Sequence, residues 1–229
     1  MLNLNPSIYN QPKSHRKIIS IPAESAKLAE LMGIIHGDGG INNPWQLVIT
    51  VNSILDSEYA VFVSNLMSNL FSVDVKIRKR PGMNALVLVC SSRNLLDFLV
   101  VKGAVRGNKI KQEIAMSNWI KKNENYKRAF VRGLVDTDGC LYIHKHVTKG
   151  SPRVQNNIGF CFTNLSKNLI DAVAIVLREN DIEPHISKNG NNVYLYSAKS
   201  VKRYLDVFGS SNSRITNKYE EWLDLRKRG

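Results

Sequence analysis

Two matching segments of this sequence each end in an aspartate followed by a glycine. The first segment, LMGIIHGDG, covers residues 31–39, and the second, VRGLVDTDG, covers residues 131–139, so Asp38 and Asp138 are 100 residues apart. A single Asp-Gly pair is an ordinary turn, because both residue types are common there. Two matching copies in a repeat indicate instead that the two carboxylates share a chemical role.

The glycines inside the two segments indicate how the aspartates are brought together. Gly33 and Gly133 lie within apolar helical runs, where glycine costs about 1 kcal/mol relative to alanine and so needs a packing reason. We therefore expect two helices that pack side by side, with Asp38 and Asp138 at their C-terminal ends. Two such carboxylates repel each other unless a cation lies between them. Mg²⁺ suits carboxylate and phosphate oxygens, polarises a phosphodiester and lowers the pKa of an attacking water.

The repeat extends well beyond these segments. A strand followed by a helix begins near Gln46 in the first copy and near Asn157 in the second, and further strands and a helix begin near Val75 and Ile186. Each copy then has the predicted order helix, strand, strand, helix, strand, strand, helix, which is an α+β pattern. The second copy has a longer connection after its motif, over residues 146–153.

The repeat also predicts how the chain is divided. We expect an N-terminal arm at residues 1–22, a first repeat at residues 23–122, and a second repeat with a C-terminal helix at residues 123–229. A chain of this length can bury a substantial core.

Alternating residues predict one buried and one free face for each sheet. Leu47, Ile49 and Val51 alternate in the first copy, as Ile158 and its neighbours do in the second. The opposite faces are polar and basic, which suits a ligand. The candidate DNA-binding residues on these faces are Gln46, Val48, Thr50, Lys76, Arg78 and Arg80 in the first copy, and Tyr142, His144, Gln155, Asn157, Cys161 and Thr163 in the second.

The overall charge narrows the class of partner. The chain has 32 Lys and Arg against 19 Asp and Glu, a net charge of +13, which favours a polyanionic partner. No apolar run is long enough to span a bilayer, so we expect no membrane partner. The three cysteines are widely spaced and form no CxxC pair, which indicates neither disulfides nor a zinc ribbon. With no signal-peptide pattern in residues 1–20, a cytoplasmic location is expected.

The paired motifs, their spacing and the strand and helix pattern behind them resemble the LAGLIDADG homing endonucleases. The likeness covers nearly the whole chain from about Leu28, and the layout is similar to that of the single-chain members. The resemblance implies two pseudo-symmetric αββαββα halves whose antiparallel, four-stranded sheets lie in the major groove of double-stranded DNA. It also implies an intron-encoded, monomeric endodeoxyribonuclease that cuts both strands of a long asymmetric target and leaves short 3′ overhangs.

The resemblance further implies a metal site. Asp38 and Asp138 would bind Mg²⁺ or Mn²⁺ at the scissile phosphates, with help from the backbone carbonyls of Gly37 and Thr137. Ca²⁺ would be a substitute that does not support cutting.

Two further positions follow from the resemblance. A basic residue near the start of the helix after the fourth strand supports the metal-bound water, and NKIKQE places Lys111 there. The matching SRITNK places Thr216 in the second copy, which departs from the pattern. The alternative interpretation of Lys111 is an ordinary surface lysine, in which case Lys109 is the next candidate. Ser53 and Asn164 are the candidates for ordering water at the end of the second strand of each copy.

Three other functions remain open at this point. An RNA maturase of the same fold would bind intron RNA instead of cutting DNA. A non-cutting regulator of this type usually adds a helix-turn-helix domain, for which the roughly fifteen residues after the second repeat are too few. An intein would carry splicing segments around the repeats, and we identify none. The two intact aspartates favour the endonuclease.

Overall fold

The computed structural model of the chain describes residues 15–147 and 154–227. Most of the predicted N-terminal arm and most of the predicted connection at residues 146–153 therefore lie outside the described residues. The predicted boundaries of the arm and of the two repeats stay predictions. Among the described residues, no helix combines the length and apolar character needed to cross a bilayer.

The first half of the chain folds in the predicted order of elements. The helix that carries the first motif begins after Ser25, whose side chain accepts a hydrogen bond from the Leu28 N–H and so caps the helix. The elements are α1 (Ala26–Gly37), β1 (Gly39–Asn43), β2 (Gln46–Asn52), α2 (Ser57–Phe71), β3 (Lys76–Lys79), β4 (Ala85–Ser91), α3 (Arg93–Val101) and the short α4 (Asn118–Lys121).

The second half repeats this order. Its motif helix begins after Asn123, whose side chain accepts hydrogen bonds from the next backbone N–H groups. The elements are α5 (Glu124–Asp138), β5 (Gly139–Val147), β6 (Val154–Thr163), α6 (Lys167–Arg178), β7 (His185–Ile186), β8 (Asn192–Leu195), α7 (Ala198–Val207) and α8 (Ser213–Lys227).

Each half contains a four-stranded antiparallel sheet with the same order of strands. The sheets run β1-β2-β4-β3 and β5-β6-β8-β7, so the fourth strand of each half lies inside its sheet and the third at the edge. In β2, the predicted alternation is present, since Leu47, Ile49 and Val51 are buried and the residues between them are not. The predicted α+β fold of two antiparallel-sheet repeats is confirmed.

The two motif helices lie at the centre of a core that runs through both halves. Both helices are buried along most of their length, and the sheets and outer helices of each half pack around them. Apolar burial of this kind is the main force that holds the halves together. The C-terminal ends of α1 and α5 consequently meet between the two sheets.

Candidate active site and nucleic-acid interface

The contact between the motif helices explains the glycine in the middle of each. Gly33 lies against the Phe130 carbonyl, and Gly133 lies against the Glu30 carbonyl in the reciprocal position. A Cβ atom at either glycine would overlap the backbone of the opposite helix. The two helices therefore cross more closely than side chains larger than a hydrogen atom would allow.

This close crossing brings the ends of the two motifs together. A Cβ atom on Gly37 would overlap the Thr137 side chain and would lie 3.3 Å from Oδ2 of Asp138. The carboxylate of the second motif thus lies beside the backbone of the first. The backbone N–H of Thr50 in β2 donates to the backbone carbonyl of Asp38 at 3.4 Å, which joins the end of the first motif to that strand.

The two aspartates occupy a poorly solvated position. Burial, followed by the nearby charge of Asp138, raises the pKa of Asp38 to about 7, while Lys109 partly opposes this shift. Burial also raises the pKa of Asp138, and a hydrogen bond from Asn164 and the charge of Lys109 oppose it. Carboxylates that are destabilised in this way by burial and by each other bind a cation favourably.

The structure places the Lys109 ammonium at the end of the first motif helix, two residues before Lys111, the predicted basic residue. The Lys109 ammonium donates to the carbonyls of His36, at 2.8 Å, and of Gly37, at the end of α1. Lys111 is exposed, and its backbone N–H bonds to Oδ1 of Asn108 at 3.0 Å. This segment is a series of turns and not the start of a helix, so helical spacing does not give the directions of its side chains.

The second half has an equivalent basic residue, and it is Arg214 instead of Thr216. The Arg214 guanidinium donates to the carbonyls of Asp136, at 3.1 Å, and Gly139, at 3.0 Å, around the end of α5. The Thr216 hydroxyl bonds to the Ser213 carbonyl of its own helix at 3.2 Å. Lys109 and Arg214 also occupy matching positions in the sequence, because NKI aligns with SRI.

The two candidates for ordering water differ in position. The Asn164 side-chain amide donates to Oδ2 of Asp138 at 2.7 Å, which leaves Oδ1 of that carboxylate available to another partner. Ser53 bonds through its backbone N–H to the Asn84 carbonyl at 3.1 Å. Among the described residues, only Asn164 of these two thus reaches a motif aspartate.

A cavity of about 270 Å³ opens between these groups. Gly37, Lys109, Asp138 and Asn164 supply its polar wall, and Ile110, Ile114 and Leu165 supply apolar wall. Within residues 15–147 and 154–227, no three His, Cys, Asp or Glu side chains are grouped to hold a metal ion. Asp138 is the motif aspartate that lines this cavity, so a cation in it would meet the Asp138 carboxylate and backbone oxygens, with open positions for water and phosphate. Such oxygen ligands are those that Mg²⁺ prefers.

A buried polar network behind the site was not predicted from the sequence. Glu30 of α1 accepts hydrogen bonds from Arg132 at 2.6 and 2.9 Å, and from the Ser211 hydroxyl at 2.6 Å. Asp136 accepts from the Ser210 hydroxyl at 2.5 Å and from the Ser211 N–H at 2.8 Å. These bonds fix the segment before α8 against both motif helices, and hence fix the position from which Arg214 projects.

The free face of the first sheet is basic and partly apolar. Thr50, Val87 and Arg78 form one row across strands β2, β4 and β3, and Val48, Val89 and Lys76 form the next. Lys76, Arg78 and Arg80 are exposed, whereas Gln46, Val48 and Thr50 are partly buried. The row that begins at Thr50 adjoins the Asp38 backbone, so this face runs directly into the site.

The free face of the second sheet is uncharged and aromatic. Tyr142 lies over Gly159, and Tyr194 stacks on Tyr196 with ring centroids 5.4 Å apart. Among the described strand residues, this face has no Lys, Arg, Asp or Glu. His144, Gln155, Asn157 and Thr163 are exposed there, and Cys161 is partly buried. The two halves therefore present different chemistry to a ligand, although their folds match.

Comparison with known proteins identifies the fold. Residues 125–209 match the family model of the LAGLIDADG-like domain. The uncharacterized protein MJ0314 of Methanocaldococcus jannaschii is 26% identical over 187 residues, which cover 80% of this chain and 64% of that protein. The chain thus spans less than two thirds of the length of this curated relative.

Three solved structures share the arrangement of the chain. I-DmoI in complex with DNA and Mn has a TM-score of 0.51 and 21% identity, over 81% of this chain and 97% of that chain. The homing endonuclease I-LtrWI bound to target DNA has a TM-score of 0.55 and 12% identity, over 88% and 90%. DUF199/WhiA from Thermatoga maritima has a TM-score of 0.54 and 17% identity, over 90% and 63%.

The family match covers the second half of the chain, and the shared fold covers most of the chain. The predicted resemblance to LAGLIDADG proteins is borne out for residues 125–209 by the family model and for most of the chain by the fold of the solved structures, and two motifs in one chain fit the predicted single-chain type. The same fold occurs both in named homing endonucleases and in WhiA, so the fold alone does not establish cutting.

Proposed function

We propose that this protein is a site-specific homing endonuclease that cuts both strands of a long asymmetric DNA target and leaves short 3′ overhangs. The observation that carries the proposal is the pair of partly buried carboxylates, Asp38 and Asp138, beside the Lys109 ammonium. Placing two like charges in a poorly solvated position is costly, and binding DNA through the sheets would not require it. A metal-dependent reaction at a phosphate does require two carboxylates placed close together in this way.

The groups present suit one or more divalent cations. Asp38 and Asp138, with the carbonyls of Gly37 and Thr137, would hold Mg²⁺ or Mn²⁺, and Ca²⁺ would bind without supporting cutting. I-DmoI has been crystallised in complex with DNA and Mn and with DNA and Ca. When bound, the metal would polarise the phosphodiester and acidify the attacking water.

The side chains around the aspartates have separate roles in this proposal. Asn164 fixes one oxygen of Asp138, so the other remains available to a metal ion. Lys109 places positive charge where negative charge develops as water adds to phosphorus and one bridging P–O bond breaks. Because Lys109 is partly buried, its charge is weakly screened and acts strongly over short distances.

Lys109→Ala is expected to slow single-turnover cutting by about a hundredfold, the cost of losing one charged donor at a transition state. Lys111→Ala is the matched control, because it removes the same side chain from an exposed turn two residues away, and its rate should match that of the unaltered protein. The time course on supercoiled plasmid separates nicked from linear product. If Lys111→Ala cut slowly and Lys109→Ala cut at the normal rate, the supporting basic residue would be Lys111.

The pKa of Asp38, about 7, makes metal binding depend on pH. A divalent cation binds the ionised carboxylate, so at lower pH it has to displace a proton. We expect the Mn²⁺ affinity to be flat above about pH 8 and to fall by about tenfold per unit below about pH 6. Calorimetric titration measures this, with the double variant Asp38→Asn, Asp138→Asn as the control for other sites. An affinity that does not change across this range would contradict the raised pKa.

The two sheets are proposed to read the two halves of the target. Lys76, Arg78 and Arg80 of the first half would contact phosphates and base edges, whereas Tyr142, His144, Gln155 and Asn157 of the second would contact bases with little charge. Because the faces differ, one chain acting as a monomer would select an asymmetric site. Selection from a random DNA library in Ca²⁺ tests this proposal. A palindromic site bound by two chains would contradict it.

Intron RNA is the alternative partner. The stacked pair Tyr194 and Tyr196 on an uncharged sheet face would suit unpaired bases. The basic rows of the first sheet, which run into the aspartate pair, favour duplex DNA as the substrate. Competition between RNA and the selected DNA separates the two partners. An origin in an intron and a cytoplasmic location stay predictions.

A further inference from the structure

Arg214 is held by an ion pair that crosses between the two repeats. Its Nε donates to Oδ1 of Asp56 at 3.0 Å, and Asp56 lies in the first half, just before α2. The other two guanidinium nitrogens donate to the Asp136 and Gly139 carbonyls. Every nitrogen of Arg214 therefore has a protein acceptor, and the direction of the side chain is fixed.

Asp56 is itself fixed by further hydrogen bonds. Its Oδ1 also accepts from the Asn212 side-chain amide at 2.8 Å, and its Oδ2 accepts from the Asn52 N–H at 3.4 Å. Asn212 is fully buried and also donates to the Asp136 carbonyl at 3.0 Å. The Asp56 side chain is only 12% exposed, so water screens its attraction for Arg214 weakly.

The basic residue of the first half has a different setting. Among the described residues, Lys109 forms no ion pair closer than 4.0 Å, and its ammonium bonds to backbone carbonyls. The Lys109 ammonium lies at the end of α1 and lines the cavity beside Asp138, whereas the Arg214 guanidinium lies at the end of α5 and does not line that cavity. One side of the site thus has Lys109 and Asn164 around a single cavity, and the other has Arg214 paired with a third carboxylate, Asp56.

We propose that Asp56 is a positioning residue that holds Arg214 at the end of α5, outside the cavity lined by Lys109 and Asn164, and makes the two strand cuts depend on different residues. This inference rests on the proposed endonuclease function. Without Asp56, the guanidinium keeps only two carbonyl acceptors and loses the charged partner that sets its direction. The strand cut that uses Arg214 then slows, while the cut that uses Lys109 and Asn164 continues.

The test measures the two strands separately. Each strand of the selected target is labelled with its own dye, and single-turnover cutting in Mg²⁺ is followed for Asp56→Asn. We expect one strand to slow by about tenfold, the effect of one charge-assisted hydrogen bond, while the other changes less than about twofold. Asp206→Asn is the control, because Asp206 is an exposed aspartate that pairs with Lys202 of its own helix, α7. It should leave both rates unchanged.

Two further variants separate positioning from a general loss of structure. Arg214→Lys keeps the positive charge and removes the Nε contact, so it should slow the same strand even if Asp56→Asn folds poorly. Adding Asp56→Asn to Arg214→Ala should have no further effect on that strand, because the two residues act as one unit. Equal slowing of both strands, or no slowing, would overturn this inference alone. An unaltered protein that binds its target but does not cut would overturn the proposed function and this inference with it.

Discussion

Asp38→Asn and Asp138→Asn are each expected to reduce double-strand cutting by about a thousandfold or more, since loss of a metal ligand removes several kcal/mol of transition-state stabilisation. Asparagine keeps the shape of the side chain but has no charge with which to hold a divalent cation. DNA binding is expected to persist, because the basic rows of the first sheet lie outside the aspartate pair.

Asp38→Asn has a second expected effect, which is on the stability of the folded protein. Burial raises the folded-state pKa of Asp38 to about 7, above the unfolded value. Asp38 therefore contributes stability that is fully present below its unfolded-state pKa of about 3.9. This contribution is lost as the pH rises through the folded-state pKa of about 7. Asp38→Asn removes this loss, so near about pH 8 the variant should unfold at a higher temperature than the unaltered protein.

Plasmid cutting, target binding in Ca²⁺ and thermal unfolding measure these effects together. Asp171→Asn is the control, since Asp171 is an exposed aspartate on α6, and it should change none of the three. Undiminished cutting by the double variant Asp38→Asn, Asp138→Asn would show that the aspartates have no part in the reaction.

Gly33→Ala is expected to destabilise the fold by about 2 kcal/mol or more, despite the better helix propensity of alanine. The added methyl would overlap the Phe130 carbonyl, and backbone in a packed helix cannot move aside as a side chain can. The helices would separate, and with them the aspartates at their ends, so cutting should fall as well.

Chemical unfolding measures this effect, and Gly40 provides the control because a Cβ atom fits there. A Cβ atom on Gly40 would meet its nearest neighbour, Nδ2 of Asn42, at 3.6 Å, which is ordinary contact. Gly40→Ala should therefore leave the free energy of unfolding nearly unchanged. If the two substitutions cost the same, the close crossing of α1 and α5 does not limit the fold.

The sequence was sufficient to predict the features that repeat with a regular period. Gly33 and Gly133 indicated the helix crossing, because glycine inside an apolar helix is costly without a reason. The alternation of Leu47, Ile49 and Val51 indicated the buried face of β2. These patterns depend on local geometry that every helix and strand shares.

The supporting residues could not be predicted in this way. Lys109 lies in a run of turns, which has no regular repeat from which the direction of a side chain could be predicted. The sequence therefore points to Lys111, two residues further on, instead of Lys109. The signal that could have identified it is the match of NKI with SRI, which pairs Lys109 with Arg214. Asp56 gave no signal, because its partner is 158 residues away along the chain, and only the assembled fold brings them together.

The central claim is that this protein cuts DNA and does not merely bind it. The most direct measurement is sequencing of both strand ends after the target selected in Ca²⁺ is incubated with the protein in Mg²⁺. The account predicts one defined break in each strand, offset to leave a short 3′ overhang, with no breaks when Ca²⁺ replaces Mg²⁺. Selective binding of the target with both strands intact in Mg²⁺ and in Mn²⁺ would contradict it.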